Sequence, residues 1–211
     1  MSSTNRGAVR QEFDYYATPP DEIRRFLTAW QEDEPGLQGV VKNILDPCAG
    51  GNIAPVQWEY KPGKVLTVPP TAPAYPSVLP EYFPGALMRT MDIRGDAPVH
   101  FCADFLSVEG AAAWRGKELV ITNPPFLVAL EFIQRALECV RFGGWVVMLL
   151  RLNFFGSAKR KPFFDQHMPE RVYVHNKRMS FTPDGKTDSV EYMHAVWRKG
   201  HHPRGFIGRV I

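Results

Sequence analysis

The sequence predicts an α/β fold: an open, mostly parallel sheet with helices on both faces. Two observations carry this. Short apolar runs alternate along the chain with stretches of helical periodicity, the pattern of strand-helix-strand units. One run, WVVMLLRL at residues 145–152, is almost continuously apolar, as a central strand covered on both faces must be.

The elements follow in order. PPDEIRRFLTAWQE (19–32) reads as a helix, because Ile23, Phe26, Leu27 and Trp30 fall on one face and Pro19-Pro20-Asp21-Glu22 suit a helix start. VVKNIL (40–45) is a short strand ending at Asp46, and DPCAGGN (46–52) is the loop after it. Residues 55–85 hold eight of the 19 prolines and are expected to form an irregular, partly ordered excursion. Trp58, Tyr60, Tyr75, Tyr82 and Phe83 within it argue against a plain linker. ALMRTMDI (86–93), VHFCADF (99–105) and ELVITN (118–123) are the next strands. Residues 127–141 form an apolar-faced helix expected to stop at Gly143-Gly144. RVYVHN (171–176) and YMHAVWR (192–198) are late strands, one of them antiparallel, joined by the polar turn-rich loop 177–191. There is no internal repeat. The expected layout is a single domain over 1–211, with the proline-rich insertion and a short basic tail at 198–211.

Composition narrows the function classes. A chain of 211 residues can bury one real core. No apolar run approaches a membrane span, and the polar N-terminus lacks the apolar segment of a signal peptide. Three widely spaced cysteines indicate a reducing, cytoplasmic setting and offer no zinc-type pair, so no metal is expected; His201-His202 adds little to a metal reading. Up to Glu138 there are 12 Lys/Arg against 17 Asp/Glu, and from Arg141 onward 13 against 5. That basic final third points to a polyanion partner.

Ligands of open α/β sheets sit at the carboxyl ends of the strands. Four strand ends in succession carry Asp46, Asp92, Asp104 and Asn123. Asp and Asn commonly end strands, so one alone is no evidence; four, with Gly50-Gly51 after the first, are harder to dismiss. The loop is neither GxGxxG nor a Walker P-loop. A glycine loop headed by Asp46 suits a cationic group. Asp92 suits ribose hydroxyls. Asp104 can accept from an adenine amino group, with Phe105 as a stacking face. A nucleoside with a positively charged amino-acid tail, such as S-adenosylmethionine, fits all three.

At these motifs the sequence resembles the amino-group DNA methyltransferases, specifically the N6-adenine enzymes. DPCAGGN is similar to their cofactor loop, with Asp46, Pro47, Cys48, Ala49 and Gly50 as implied cofactor residues. Asn123-Pro124-Pro125-Phe126 is similar to their catalytic tetrad. FDYYATPPDEI (13–23) resembles the Tyr-x-Thr-Pro segment that closes over the methionine moiety, implying Tyr16, Thr18 and Pro19. RMSFTPDGKTDSVEYMHAVW (178–197) resembles the loop and strand that follow in small phage and bacterial members, where Phe181 would face the flipped base. The order of the blocks is gamma-like. The resemblance implies a Rossmann-like methyltransferase fold, S-adenosylmethionine as cofactor and a flipped DNA adenine as substrate. It leaves the proline-rich excursion unexplained.

The chemistry accounts for the tetrad. Adenine's exocyclic amine is a weak nucleophile because its lone pair is delocalised into the ring. The Asn123 side-chain oxygen and the Pro124 carbonyl can each accept one N–H, which draws the nitrogen toward tetrahedral geometry. Pro125 stiffens the turn and Phe126 can stack on a base that has left the duplex. Lys159, Arg160 and Lys186 are expected to touch phosphate. An RNA adenine or a protein glutamine also presents an sp2-attached NH2, and a catalytically silent cofactor- or DNA-binding module is the rival outside enzymes. Pro47-Cys48 superficially matches the Pro-Cys nucleophile of cytosine-C5 methyltransferases, but its place in the loop makes Cys48 a small packing residue. Few residues remain for groove readout, so relaxed or short-site specificity is expected; Gln57, Lys61 and Lys64 in the excursion could supply readout.

Overall fold

The computed structural model describes residues 17–61, 63–107, 114–182, 185, 187 and 189–211. Tyr16 and Lys186 lie outside the described residues. Helix α1 (Pro20–Asp33) starts as the sequence predicts, with Pro at its first position, Asp21 and Glu22 in its first turn, and Ile23, Phe26, Leu27, Ala29 and Trp30 buried. The short α2 (Leu37–Val40) leads into β1 (Asn43–Asp46). Strands β2 (Val56–Lys61) and β3 (Lys64–Val68) pair as an antiparallel hairpin, followed by α3 (Ala74–Tyr82). Then come β4 (Leu87–Asp92), β5 (Phe101–Cys102) and β6 (Lys117–Thr122). A 3-10 turn at Phe126–Val128 opens α4 (Ala129–Cys139), which runs into β7 (Val140–Arg151). Helix α5 (Lys161–Gln166) precedes β8 (Arg171–Val174), β9 (Tyr192–Arg198) and β10 (Ile207–Val210).

Eight strands form one sheet in the order β10-β8-β9-β7-β6-β1-β4-β5. Among the described residues of this sheet β9 alone runs antiparallel, against β7 and β8, and the other pairings are parallel. The order reverses at β1, which has β4 on one side and β6 on the other. The crevice beyond Asp46 and Thr122 is therefore the expected ligand position of such a sheet.

Alternation along β7 distributes the core. Val146, Met148 and Leu150 join a cluster with α4 and α5, through Phe132, Ile133, Ala136, Phe163 and Phe164. Trp145 and Val147 join the opposite cluster with α1 and α3. Each large side chain removed from water this way stabilises the fold by about 1.5–3 kcal/mol, so both faces are committed to packing. The β strands that position the site are thus held from both sides.

Four expectations are corrected. Residues 55–85 are not irregular: they hold the β2–β3 hairpin and α3, with Trp58, Tyr75 and Phe83 buried. A bridge between Asn52 and Thr71 closes the base of the excursion. The strand read over 99–105 shrinks to Phe101–Cys102, both exposed. Helix α4 ends at Cys139, and Gly143-Gly144 lie inside β7, where the register against β6 shifts. A Cβ on Gly144 would sit 3.0 Å from the Lys117 carbonyl oxygen, so this pair shapes a bulge instead of stopping a helix. The basic tail is a sheet edge: β10 pairs with β8, and Arg209 is bonded to Glu32 and Asp33 of α1.

Candidate active site at the strand ends

Asp46 ends β1 fully buried. Its Oδ1 accepts from the Cys48 N–H at 3.2 Å. Burial pushes the carboxyl up to about 7, with the nearby Asp92 charge adding to the effect. The Thr122 hydroxyl favours the ionised form but stands outside hydrogen-bond geometry. Oδ2 of Asp46 and Oγ1 of Thr122 are both buried, and neither completes a hydrogen bond among the described residues. A buried, half-satisfied carboxylate is costly unless something polar meets it.

The loop after Asp46 is pinned onto β4. Pro47 is buried, and the Ala49 N–H donates to the Met91 carbonyl at 2.9 Å. Gly50, at φ 71°, donates its N–H to Asp92 Oδ2 at 2.9 Å. Gly51 takes φ 83°, and a Cβ there would lie 2.7 Å from the Thr71 carbonyl oxygen; its bareness serves the excursion, not a ligand. Burial pushes the Cys48 thiol well above its ordinary value, which fits an unreactive packing residue.

Asp92 itself is 3% exposed and engaged on both oxygens. Beyond Gly50, its Oδ1 accepts from the Arg94 backbone N–H at 2.9 Å and from Arg94 Nε at 3.3 Å. It holds the glycine loop to β4 in addition to any contact with a ligand. Asp104 is exposed, with Oδ1 accepting from the Leu106 N–H at 2.9 Å in a local turn. Phe105 is corrected: it is 2% exposed and packs on Phe132 with centroids 5.2 Å apart, so its ring belongs to the core and offers no open stacking face. The exposed apolar side chain at this rim is Ile93, immediately after Asp92.

Across the crevice, β6 ends at Thr122 and the chain turns through Asn123-Pro124-Pro125 into the 3-10 turn of Phe126. The Asn123 Nδ2 donates to Thr18 Oγ1 at 3.1 Å, joining the Thr18-Pro19 segment to the tetrad. Thr18 is 3% exposed. Phe126 and Phe181 both pack on Tyr192, with ring centroids 5.8 and 4.8 Å from it. Leu149, Met179 and Val190 complete this small apolar cluster. The Arg151 guanidinium lies 4.7 Å from the Phe126 centroid and covers one face of it.

Tyr192 and Arg151 escaped sequence reasoning. They face each other across β7 and β9, a register the sequence does not display. Of the expected phosphate contacts, Lys159 is exposed. Arg160 is committed elsewhere: its Nε donates to the Phe154 carbonyl at 2.6 Å and its guanidinium stacks 4.4 Å from the Phe154 centroid. Among the described residues, no cluster of His, Cys, Asp and Glu is arranged to hold a metal, and no helix is long and apolar enough to cross a membrane.

No protein-family model matches the sequence, and no curated protein matches it. Solved structures do match. A protein of Listeria monocytogenes assigned as a class I S-adenosylmethionine-dependent methyltransferase aligns over 92% of this chain with a TM-score of 0.60 and 14% identity. The modification subunit assigned to a type I restriction enzyme of Vibrio vulnificus aligns over 92% with a TM-score of 0.53 and 11% identity. A protein of Pyrococcus horikoshii assigned as an RNA methyltransferase aligns over 93%, and over 94% of its own length, with a TM-score of 0.53 and 12% identity. The chain spans 65% of the Listeria protein and 47% of the Vibrio subunit. With the strand order and the single antiparallel β9, these likenesses establish the fold as that of the Rossmann-like methyltransferases.

Proposed function

We propose that this chain transfers a methyl group from S-adenosylmethionine to the N6 amino group of an adenine in DNA. The observation that carries the proposal is the juxtaposition of the Asn123-Pro124-Pro125-Phe126 turn with Phe181 around Tyr192, at the carboxyl edge beside Asp46. An amide acceptor next to aromatic rings is what a flat heterocycle bearing an NH2 group needs.

The residues present fit the cofactor. Asp46 Oδ2 is buried without a hydrogen-bond partner among the described residues, and a cationic amino-acid tail would satisfy it. Asp92 and Ile93, at the end of β4, stand where a ribose and its base would lie. When bound, the sulfonium supplies an electrophilic methyl group. Asn123 Oδ1 and the Pro124 carbonyl accept the two N–H groups of adenine N6 and concentrate its lone pair on nitrogen. Phe126, backed by Arg151, and Phe181 hold the ring in plane. Such preorganised acceptors act where charge develops in the transition state, and removing one typically lowers the rate by a factor of about 100–1,000.

The basic final third supports a nucleic acid over a protein substrate. The likeness to the Vibrio modification subunit favours DNA, and that to the Pyrococcus protein keeps RNA as the second arm of the test. β10 and Arg209 are absorbed into the fold, which takes Arg209 out of the set of free cations for a nucleic acid. The β2–β3 hairpin, which follows β1 in the chain and exposes Val65 and Leu66, is a candidate for groove contact. The experiment is a labelled-methyl assay on duplex DNA, RNA and a glutamine-bearing protein, with nucleosides resolved after digestion. Label in N6-methyl-2′-deoxyadenosine from DNA supports the proposal; label only in RNA nucleosides or in glutamine refutes it.

A further inference from the structure

Arg151 ends β7 at the tetrad's edge of the sheet, half-buried, with its guanidinium carbon 4.7 Å from the Phe126 centroid. Its Nε is buried and meets no hydrogen-bond acceptor among the described residues. Nor does any described residue form a side-chain hydrogen bond or an ion pair with the rest of the guanidinium.

Other arginines that lie over rings are settled differently. Arg160, 4.4 Å from the Phe154 centroid, donates Nε to the Phe154 carbonyl at 2.6 Å. Arg198, 5.1 Å from the Trp145 centroid, donates Nε to the Gly143 carbonyl at 3.4 Å. Elsewhere in the core polar side chains satisfy one another, as His175 Nε2 and His194 Nδ1 do at 2.7 Å. A half-buried cation whose donors meet no acceptor is costly, and an anion that reaches it offsets that cost.

We propose that Arg151 binds the phosphate adjoining the flipped adenine and so anchors the target nucleotide beside Phe126. The proposal rests on the reading of this chain as a DNA adenine methyltransferase.

Packing against Phe126 does not consume the N–H donors of the guanidinium. With Nε enclosed, the two Nη groups are left for a ligand, and a tetrahedral oxyanion can meet two donors at once. The ring that Arg151 covers is the one assigned to stack on the adenine. An anion arriving there is one carried by the same nucleotide, and in DNA that anion is a phosphodiester. Competing anions are placed elsewhere. Glu191, beside Tyr192, is exposed and pairs with Arg178 at 3.8 Å. Strand β6 separates β7 from β1, so Arg151 stands roughly 10 Å across the sheet from Asp46 and the cofactor tail assigned to it.

The surroundings have the same sign. Lys177 and Arg178 are exposed and follow β8 at the same edge, just before Met179, which packs beside Tyr192. Those two can attract a duplex, but their long side chains must be ordered on contact. Arg151 is already held by its ring and loses less freedom, so it is the one that sets register.

The test compares Arg151→Met, Arg151→Lys and wild type on short mixed-sequence DNA duplexes. Arg151→Met keeps an apolar chain over Phe126 and removes the charge. Its DNA affinity should weaken about ten- to a hundredfold, the scale of one charge-assisted contact. The slope of log affinity against log salt should fall by about 0.9. Arg151→Lys should keep the slope and still lose affinity, because an ammonium lacks the fork. A methylphosphonate, which removes the charge of a single phosphate, should slow single-turnover methylation by wild type when it adjoins the target adenine. In Arg151→Met the same substitution should cost nothing further. An unchanged salt slope in a folded Arg151→Met overturns the proposal, because a residue that only props Phe126 would leave the slope alone. So does an adjoining methylphosphonate that costs Arg151→Met as much as it costs wild type, or an affinity loss confined to RNA duplexes. If Arg151→Met does not fold, wild type decides: adjoining methylphosphonates that slow methylation no more than distant ones overturn the proposal. A reduced slope on DNA in a protein that methylates no adenine upholds Arg151 as a phosphate ligand and defeats the functional reading instead.

Discussion

Asp46 ties cofactor binding to pH. Its carboxyl is pushed up to about 7 in the free protein, from an ordinary 3.8. At pH 6 about nine-tenths of the protein therefore carries a neutral Asp46, and at pH 5 nearly all of it does. A cationic ligand against Oδ2 favours the ionised form, so binding at pH 6 should release close to one proton. The Kd should weaken about tenfold per pH unit from 6.5 down to 5, a range in which the ligand's own α-amino group stays charged. The sign for folding is the opposite. A raised carboxyl binds its proton more tightly in the native state, so the free protein loses stability as pH rises from about 4 through 7. Calorimetry at pH 6 in two buffers of different ionisation enthalpy measures the proton release directly. Asp46→Asn should abolish it and flatten the pH dependence. Binding with no proton release and an unchanged Kd between pH 6.5 and 5 would refute the placement of the cation at Asp46.

Asp92→Ala removes a carboxylate that holds Gly50 and Arg94, so it should destabilise the fold by roughly 3–5 kcal/mol in urea unfolding as well as weaken cofactor binding. Wild-type stability with weak binding would make Asp92 a ligand residue only. Phe181→Ala should lower kcat/KM on DNA about ten- to a hundredfold, the scale of one base–aromatic stack, with the cofactor Kd unchanged by calorimetry. Lys159→Ala should reduce the slope of log affinity against log salt by about 0.9, whereas Arg160→Ala should mainly lower the Tm, because its guanidinium serves Phe154.

The strand ends at Asp46, Asp92 and Asn123 were legible because each follows a run of buried residues and precedes residues that break regular structure. Helix α1 was legible from its proline start and its apolar face. Phe105 was misread because an aromatic residue in a loop can turn inward or outward, and only the presence of Phe132 on α4 decides it. The tail was misread because its composition is that of a solvated segment; its parallel pairing with β8 joins residues more than 30 positions apart. The His175–His194 contact was invisible for a related reason. It depends on antiparallel pairing that brings Val174 opposite Met193, which no local pattern encodes. Tyr192 becomes a shared support for Phe126 and Phe181 only once β9 is docked on β7.

The central claim is that Asn123 acts on the reacting amine and not on the cofactor. Single-turnover methylation of an adenine-containing duplex by Asn123→Ala, with S-adenosylmethionine binding measured on the same preparation, tests it most directly. The rate should fall by a factor of about 100–1,000 while the Kd stays within a few-fold of wild type. A near-normal rate, or a loss of rate matched by an equal loss of cofactor binding, would contradict it.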